Sequence, residues 1–266
     1  LTLVWVDDEI EKYWFVPCDS PAFRKTKMVD EPLDASVTFN TEAEPLKVSK
    51  KGSDGSRAAA QHIAKALDLV KDVIAENESM LGDLDAVAGD GDHGAGMTRG
   101  SKAGAEAANW LVKEGAGAKT TLAGAGARWS EQAGGASGAL WGAALIAAGN
   151  ALGDDENLDD KSFANAVTAF VKSIQNLGGA NIGDKTMVDA QFPFAEVFES
   201  SISQGLQFVD AWNRAAVAAS SAAKATADLI PKMGRARVLG EKSVGFQDPG
   251  ATSFSLIVST ISSMFK

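Results

Sequence analysis

The chain has 266 residues, 45% of them hydrophobic, enough to fill the core of one large domain or about two ordinary ones. Its 35 acidic and 25 basic residues give a formal net charge of -10. This balance argues against sequence-independent binding to nucleic acid, which depends on clustered Lys and Arg. A single cysteine, Cys18, cannot form an internal disulfide, and we expect a cytoplasmic protein.

The N-terminal segment begins LTLVWVDDEI, and its first six residues are β-branched or aromatic, as is typical of strands. The continuation EKYWFVPCDSPAF alternates loosely, and we expect two short strands, or a strand and a tail. The segment has neither an initiator Met nor a basic region followed by an apolar stretch, so we expect it to lie within a longer polypeptide. From Lys25 to Ser56, prolines, scattered charges and KKGSDGS predict a linker.

Helical periodicity begins at Arg57, with Ser53 or Asp54 as a candidate cap. The apolar residues of this first helix form one stripe: Ile63, Leu67, Val70 and Ile74. Similar Ala-rich segments follow at 97–113, 119–133, 138–152, 160–177, 186–203, 205–227 and 250–264. The apolar run 138–152 is shorter than the ~20 residues that a membrane-spanning helix needs, so we expect a buried helix and no membrane segment. About eight helices without intervening strands predict an all-α domain.

The segment LDAVAGDGDHGAG, residues 84–96, contains the most informative motif. GDGDHG matches the GxGxxG pattern of dinucleotide-binding loops, but no buried strand precedes it. An EF-hand is excluded because position 12 counted from Asp90 is Ser101, not an acid. The remaining feature is the set Asp85, Asp90 and Asp92, whose mutual repulsion favours a divalent cation, with Mg²⁺ preferred by hard carboxylate oxygens. A solvated acidic turn is the alternative interpretation.

Neighbouring residues support a site at this loop. Gly89, Gly91 and Gly94 would allow a tight, partly left-handed turn. His93 could donate a hydrogen bond to a phosphate or orient a carboxylate, or have no functional role. AGGASGALWG, residues 133–142, runs into a helix whose first N–H groups could bind an anion.

Two further loops are elaborate: GGANIGDKTMVDA at 178–190, with the pair Asp184 and Lys185, and GRARVLGEKSVGFQDPGATS at 234–253. Each taken alone could be an ordinary interhelical turn. Four such loops on a helical scaffold predict the walls of a single site.

Four motifs in this order, LDAVAGDGDHGAGM, GGASGAL, GDKTMVDA and GRARVLGEKSVGFQDPGATS, resemble the nucleotide-binding domain of dihydroxyacetone kinases. The resemblance covers about residues 53–266 and implies a barrel of eight antiparallel amphipathic helices with the nucleotide at one end. Residues 1–25 resemble the tail of that family's ketone-binding domain, a short β-containing remnant, and residues 26–52 would then be the linker.

The resemblance also implies functional residues. Asp85, Asp90 and Asp92 would bind two Mg²⁺ ions that bridge the phosphates of ATP or ADP. The remaining nucleotide contacts would come from His93, Gly94, Ala95, Gly96, Ala136, Ser137, Gly178, Met187, Arg235, Asp248, Pro249 and Gly250. No catalytic residue is identified in this chain, because the family's substrate-binding histidine belongs to the ketone-binding domain.

The activity implied is ATP-dependent phosphoryl transfer to a primary hydroxyl of a short ketose, with dihydroxyacetone as the expected acceptor. Alternatives are another short ketose such as erythrulose, a fatty acid, an ADP-holding subunit that relays phosphate from a phosphotransferase protein, and a metal-binding module without catalysis. The expected partners are a small ketose and the ketone-binding domain, in the same polypeptide or in a partner chain. We expect a homodimer of the full-length protein, and neither nucleic acid nor membrane as a partner.

Overall fold

The computed structural model describes residues 7–14, 16, 19–20, 23–24, 45–155, 157–238 and 240–265. The chain divides into two compact units, Leu1–Ala43 and Glu44–Lys266. The first unit contains helix α1 (Asp8–Trp14) and an antiparallel pair of two-residue strands, β1 (Asp19–Ser20) and β2 (Phe23–Arg24).

The continuation from residue 11, for which a second strand or a tail was expected, begins as helix, because residues 11–14 belong to α1. The Asp7 carboxylate accepts hydrogen bonds from the backbone N–H groups of Glu9 (3.1 Å) and Ile10 (2.8 Å), and acidic side chains occupy the first turn. Both features stabilise a helix N-terminus. The strand predicted over residues 1–6, and Cys18, lie outside the described residues.

The second unit is built from helices. They are α2 (Asp54–Glu76), α3 (Glu78–Ala88), α4 (His93–Lys113), α5 (Ala118–Ala133), α6 (Gly135–Leu152), α7 (Asp160–Gly178), α8 (Val188–Ser203), α9 (Phe208–Ala225) and α10 (Pro249–Ile261). Short 3-10 helices occupy Thr226–Asp228, Arg235–Val238, Gly240–Ser243 and Ser262–Phe265. Each predicted helical segment is confirmed, and α3 is additional. Asn77 separates α3 from α2, and its side-chain amide donates to the Val73 carbonyl oxygen (2.8 Å).

Eight of these helices contact one another in a closed ring, in the order α2, α4, α5, α6, α7, α8, α9, α10 and back to α2. Helix α3 packs beside the ring against α4 and α10. The expected eight-helix barrel is therefore confirmed. Small residues allow close contacts in the ring: a Cβ on Gly142 of α6 would lie 2.7 Å from the Gly126 carbonyl oxygen of α5.

Aromatic side chains fill the interior of the ring. The rings of Trp129 and Trp141 stack with centroids 5.2 Å apart, and Phe194 contacts Phe254 edge to face at 5.6 Å. Of the described helices, only α6 is long and apolar enough to cross a membrane by length and composition. Its Trp141, with Leu145 and Leu152, belongs to the buried core, as the sequence predicted for this segment.

Residues 45–52, the last part of the predicted linker, pack onto the helical unit. The Gly52 N–H donates to the Gly115 carbonyl (3.1 Å), and the Ser53 N–H donates to the Asp154 carbonyl (2.8 Å). Ser53 is the N-cap of α2, as predicted, and its hydroxyl accepts from the Ser56 N–H (3.2 Å). These bonds extend the helical unit to the N-terminal side of residue 53.

Consecutive helices of the ring are antiparallel, including α9 and α10, which the longer connection of residues 226–248 joins. Helices α4, α6, α8 and α10 consequently begin at one end of the ring, and α2, α5, α7 and α9 begin at the other. Four of the sequence motifs lie at the first end, because each of them surrounds the start of one of these even-numbered helices. The fold thereby brings distant loops to one place.

Candidate functional site

The three aspartates of the GDGDHG segment lie together at the start of α4. Asp85 is on the last turn of α3, not in the loop, while Asp90 and Asp92 follow in the loop itself. One carboxylate oxygen from each residue lies within 4.8 Å of the others, with Asp85 half-buried and the other two exposed. Three hard oxygen donors at this spacing fit a divalent cation such as Mg²⁺, which would offset their repulsion.

Glycines shape this loop in two different ways. Gly91 has φ +79°, a left-handed conformation that suits glycine. Gly94 lies inside α4, and a Cβ there would overlap the Glu78 carbonyl oxygen of α3. Of the three glycines expected to allow a left-handed turn, only Gly91 has a positive φ. Gly94 instead allows α4 to begin directly against α3.

His93 is the first residue of α4 and is buried. Its backbone N–H donates to Oδ2 of Asp85 (3.2 Å), and its Nε2 lies 2.9 Å from Oγ of Ser253 on α10. Burial lowers the pKa of His93, and the Asp85 charge and a hydrogen bond to the Pro249 backbone oppose this shift. The imidazole is therefore neutral near pH 7 and links α4 to α10.

The AGGAS segment forms an abrupt junction between α5 and α6. Gly134 (φ +68°) and Gly135 (φ +61°) reverse the chain, so that a single residue, Gly134, separates the end of α5 from the start of α6. Arg99 of α4 donates to the last carbonyl groups of α5, those of Gln132 and Ala133, both at 3.2 Å. The first turn of α6 consequently presents its N–H groups close to the start of α4.

A cavity of about 510 Å³ lies at this end of the ring. Nine of the predicted site residues line it: Asp85, His93, Ala136, Ser137, Gly178, Met187, Asp248, Pro249 and Gly250. Gly94, Ala95 and Gly96 continue the first turn of α4 beside His93. Arg235 begins the 3-10 helix Arg235–Val238, and its side chain lies outside the described part of the structure.

One wall of the cavity is apolar and was not predicted. It contains Leu140, Ile174, Leu177, Ala180, Val188 and Met233. Most of these residues lie on ring helices, where a cavity-facing apolar residue has the same periodicity as a core residue. A second cavity of about 170 Å³ shares Asp85, Met233 and Asp248 with the first, and Lys185 lines it.

Asp189 organises the GDKTMVDA loop and was also not predicted. Its buried carboxylate accepts from the N–H groups of Gly183 (2.5 Å) and Thr186 (2.8 Å). The hydroxyl of Thr186, which precedes the N-cap Met187, in turn accepts from the N–H of Val188, the first residue of α8 (3.2 Å). The spacing of Thr186 and Asp189 matches a capping box, which was the signal available in the sequence.

Asp248 of the DPG turn is the N-cap of α10. Its carboxylate accepts from the Ala251 N–H (2.7 Å), and its own N–H donates to the Thr226 hydroxyl (2.8 Å). Burial raises the pKa of Asp248 to about 7, and the negative charge of Asp189 adds to the increase, whereas the Ala251 hydrogen bond and Lys185 oppose it. This carboxyl is thus poised between its two charge states at neutral pH.

The fold and the site together define an all-helical barrel domain with a cavity at one end, lined by an apolar wall and by the polar residues of the four loops. The sequence matches the model of the DAK2 domain family over residues 87–263. The chain belongs to this family.

Two groups of relatives are similar to the chain to different extents. It is 44% identical over 265 residues to the L-erythrulose kinase of Pectobacterium atrosepticum, covering 99% of this chain and 44% of that protein. A D-erythrulose kinase of Mycolicibacterium smegmatis is 44% identical over 264 residues, covering 98% and 46%. The ADP-binding subunit DhaL of the PEP-dependent dihydroxyacetone kinase of Escherichia coli is 34% identical over 182 residues, covering 68% of this chain and 86% of the subunit.

Among solved structures, the native dihydroxyacetone kinase of C. freundii is similar with a TM-score of 0.59 and 23% identity, covering 97% of this chain and 43% of that protein. This similarity shows a shared fold. The chain spans less than half the length of this kinase and of the erythrulose kinases.

Proposed function

We propose that this chain supplies the Mg-nucleotide half of a kinase that transfers the γ-phosphoryl group of ATP to a primary hydroxyl of a short ketose. The observation that carries the proposal is the acid cluster, whose carboxylate oxygens lie within 4.8 Å of one another beside the first turn of α4. A cavity that Ser137 of α6 also lines adjoins this cluster. Cation ligands and phosphate-binding N–H groups therefore meet at one place.

Different residues would bind the cation and the phosphates. Asp85, Asp90 and Asp92 would hold Mg²⁺, two ions by the family resemblance. The bound cation would neutralise charge on the transferred phosphoryl group. N–H groups in the first turns of α4 and α6 would bind phosphate oxygens. The ring of His93 bonds to α10 and its backbone N–H donates to Asp85, so the phosphate-binding N–H groups of α4 would be those of the next residues, Gly94 and Ala95.

The apolar wall of the cavity would receive the nucleoside. Leu140 and Leu177 of this wall, together with Met187, which also lines the cavity, offer the hydrophobic surface that a planar base needs. Among the relatives, the dihydroxyacetone kinase of C. freundii is described in complex with AMP-PNP and Mg²⁺. We propose the same combination of ligands for this chain.

The acceptor that we propose first is erythrulose. Relatives that align with nearly the whole chain at 44% identity are erythrulose kinases of both stereochemical types. Dihydroxyacetone, the acceptor expected from the sequence, is supported by more distant relatives at 34% identity. Both are short ketoses with a primary hydroxyl.

We propose ATP as the donor and a ketone-binding domain of the same polypeptide as the partner. The erythrulose kinases align with 98–99% of this chain, including the residues before the helical unit, whereas the ADP-binding DhaL subunits align with 68–71%. That partner domain would supply the substrate-binding histidine. A cytoplasmic homodimer of the full-length protein completes the proposal.

Two measurements test this function. Isothermal titration of the 266-residue chain with AMP-PNP, with and without Mg²⁺, should show binding that requires the cation. An ADP-release assay on the full-length polypeptide should give the highest kcat/KM with one erythrulose enantiomer, a lower value with dihydroxyacetone, and no turnover of a fatty acid.

Three results would contradict parts of the proposal. Absence of nucleotide binding would favour a metal-binding module. Retained ADP that a phosphotransferase protein recharges, and that does not exchange with ATP, would favour a relay subunit. Strong turnover by the 266-residue chain alone would show that the acceptor site lies in this chain.

A further inference from the structure

Lys185 has an unusual environment for a lysine. Only 4% of its surface is exposed. Its φ of +59° makes it the one residue other than glycine in the left-handed region among the described residues. A Cβ disfavours this backbone conformation, so glycine would suit the backbone better. The reason for lysine must therefore lie in its side chain.

The Lys185 ammonium group connects three segments that are distant in the sequence. Nζ donates to the carbonyl oxygen of Leu229 (3.1 Å), just after α9, and to that of Ser243 (2.7 Å), in the loop before α10. Lys185 itself belongs to the loop before α8. The backbone of the same loop is joined to the segment after α9 a second time, because the Lys232 N–H donates to the Asp184 carbonyl (3.1 Å).

The segments joined by Lys185 form a wall of the candidate site. Residues 229 and 243 bracket Met233 and Gly234, which line both cavities, while Thr186 and Met187 next to Lys185 line the main cavity. Burial lowers the pKa of Lys185, and the charges of Asp248 and Asp228 counteract this effect. The charges of Asp248 and Asp228 thus favour the ammonium form of Lys185, which has three donors.

We propose that Lys185 is a positioning residue for the nucleotide: its ammonium group holds the wall that contains Met233 and Gly234 against the loop that begins α8. An uncharged side chain would leave the Leu229 and Ser243 carbonyls without this donor and allow the wall to move away. The inference rests on the proposed function, since it assigns this wall to the Mg-nucleotide site.

The test compares Lys185→Met, Lys185→Gly and Lys185→Arg by titration of the 266-residue chain with Mg-AMP-PNP. Lys185→Met should weaken binding on the order of tenfold, as loss of a supporting contact to a site typically does. Lys185→Gly removes the same donor but relieves the backbone strain, which keeps a folded variant available. Lys185→Arg retains a cationic donor and should bind more tightly than Lys185→Met.

Lys232→Met is the matched control, because Lys232 lies in the same wall but is exposed and pairs with Asp184 at 3.7 Å. It should bind within about twofold of the wild type. In the full-length kinase, Lys185→Met should raise the nucleotide KM much more than it lowers kcat, a difference that loss of stability alone would not produce.

Unchanged affinity in folded Lys185→Gly or Lys185→Met would overturn the inference while leaving the proposed function intact. Equal weakness of Lys185→Arg and Lys185→Met would overturn the role of the ammonium group. If the wild type itself fails to bind Mg-AMP-PNP, the proposed function fails, and the positioning role fails with it.

Discussion

The two ends of the helical ring differ in how side chains cap their helix N-termini. Where α2, α5 and α7 begin, side chains accept from the first N–H groups: Ser53 from Ser56 (3.2 Å), Asp154 from Thr120 (3.1 Å) and Asp159 from Ser162 (2.8 Å). At the other end, Asp248 caps α10 by accepting from Ala251 (2.7 Å), and the first N–H of α4 donates to Asp85 of the acid cluster. Helix α6, in contrast, begins at Gly134 and Gly135, which have no side chain to cap it. We call the first the closed end, because side chains cap three of its helix starts, and the second the open end, because the first N–H groups of α6 have no side-chain cap and lie at the same end as the acid cluster.

The largest effect on nucleotide affinity should come from substitution of the acids at the open end. Asp90→Asn removes one charged ligand, which contributes about 1.5–3 kcal/mol, so Mg-AMP-PNP should bind about 10- to 100-fold more weakly. Titration calorimetry measures this change. Asp155→Asn is the control, because this exposed acid pairs with Lys50 (2.9 Å) near the closed end. Equal affinity in Asp90→Asn and the wild type would contradict a ligand role for Asp90.

A second prediction concerns the close approach of α3 and α4. Gly94→Ala should destabilise the chain by about 1–3 kcal/mol, because its Cβ would overlap the Glu78 carbonyl. Gly96→Ala, two residues later in α4, places its Cβ 3.4 Å from the nearest atom and should be neutral or stabilising by up to about 1 kcal/mol. Urea unfolding without nucleotide compares the two variants, and similar stabilities would contradict the steric argument.

The closed end should affect stability but not binding. Asp154→Ala removes the carboxylate that accepts hydrogen bonds from the Thr120 hydroxyl (2.5 Å) and the Thr120 N–H (3.1 Å). The substitution should lower the free energy of unfolding by about 1–3 kcal/mol. The affinity of the folded protein for Mg-AMP-PNP should stay the same, because the site is at the opposite end. A parallel loss of affinity would show that the two ends are coupled.

A further prediction is a pH dependence of stability at Asp248. Its pKa is raised to about 7 in the folded chain, from an ordinary value of 3.8, so the folded state binds more protons between these values. The free energy of unfolding should therefore fall as pH rises from about 4 to 7, then level off. Asp248→Asn keeps an oxygen to cap α10 and should remove this component.

Urea unfolding of the wild type and of Asp248→Asn, in EDTA at several pH values, isolates the contribution of Asp248. The lowered pKa of His93 acts in the opposite direction, since it removes stability as pH falls below about 6.5. It is present in both proteins and cancels in the difference. A difference that does not vary with pH would show that the Asp248 carboxyl is ionised throughout.

The eight ring helices were predictable because their apolar stripes are local patterns. The helix of the N-terminal segment was not predicted, since the loose alternation after residue 10 favoured a strand or a tail. The Asp7 cap and the acidic first turn stabilise a helix there instead. Asp85 was assigned correctly to the acid cluster but not to α3, because the glycines after it obscured where the helix ends.

The sequence by itself determined the set of helices and the three neighbouring aspartates, because helix periodicity and the spacing of charges depend on residues close in the chain. Only the tertiary structure decided what the distant groups do. It placed His93 against Ser253, engaged Lys185 with Leu229 and Ser243, and assembled an apolar wall from several helices. These contacts join residues between 44 and 160 positions apart, and they exist only because antiparallel packing brings the starts of α4, α6, α8 and α10 to one end.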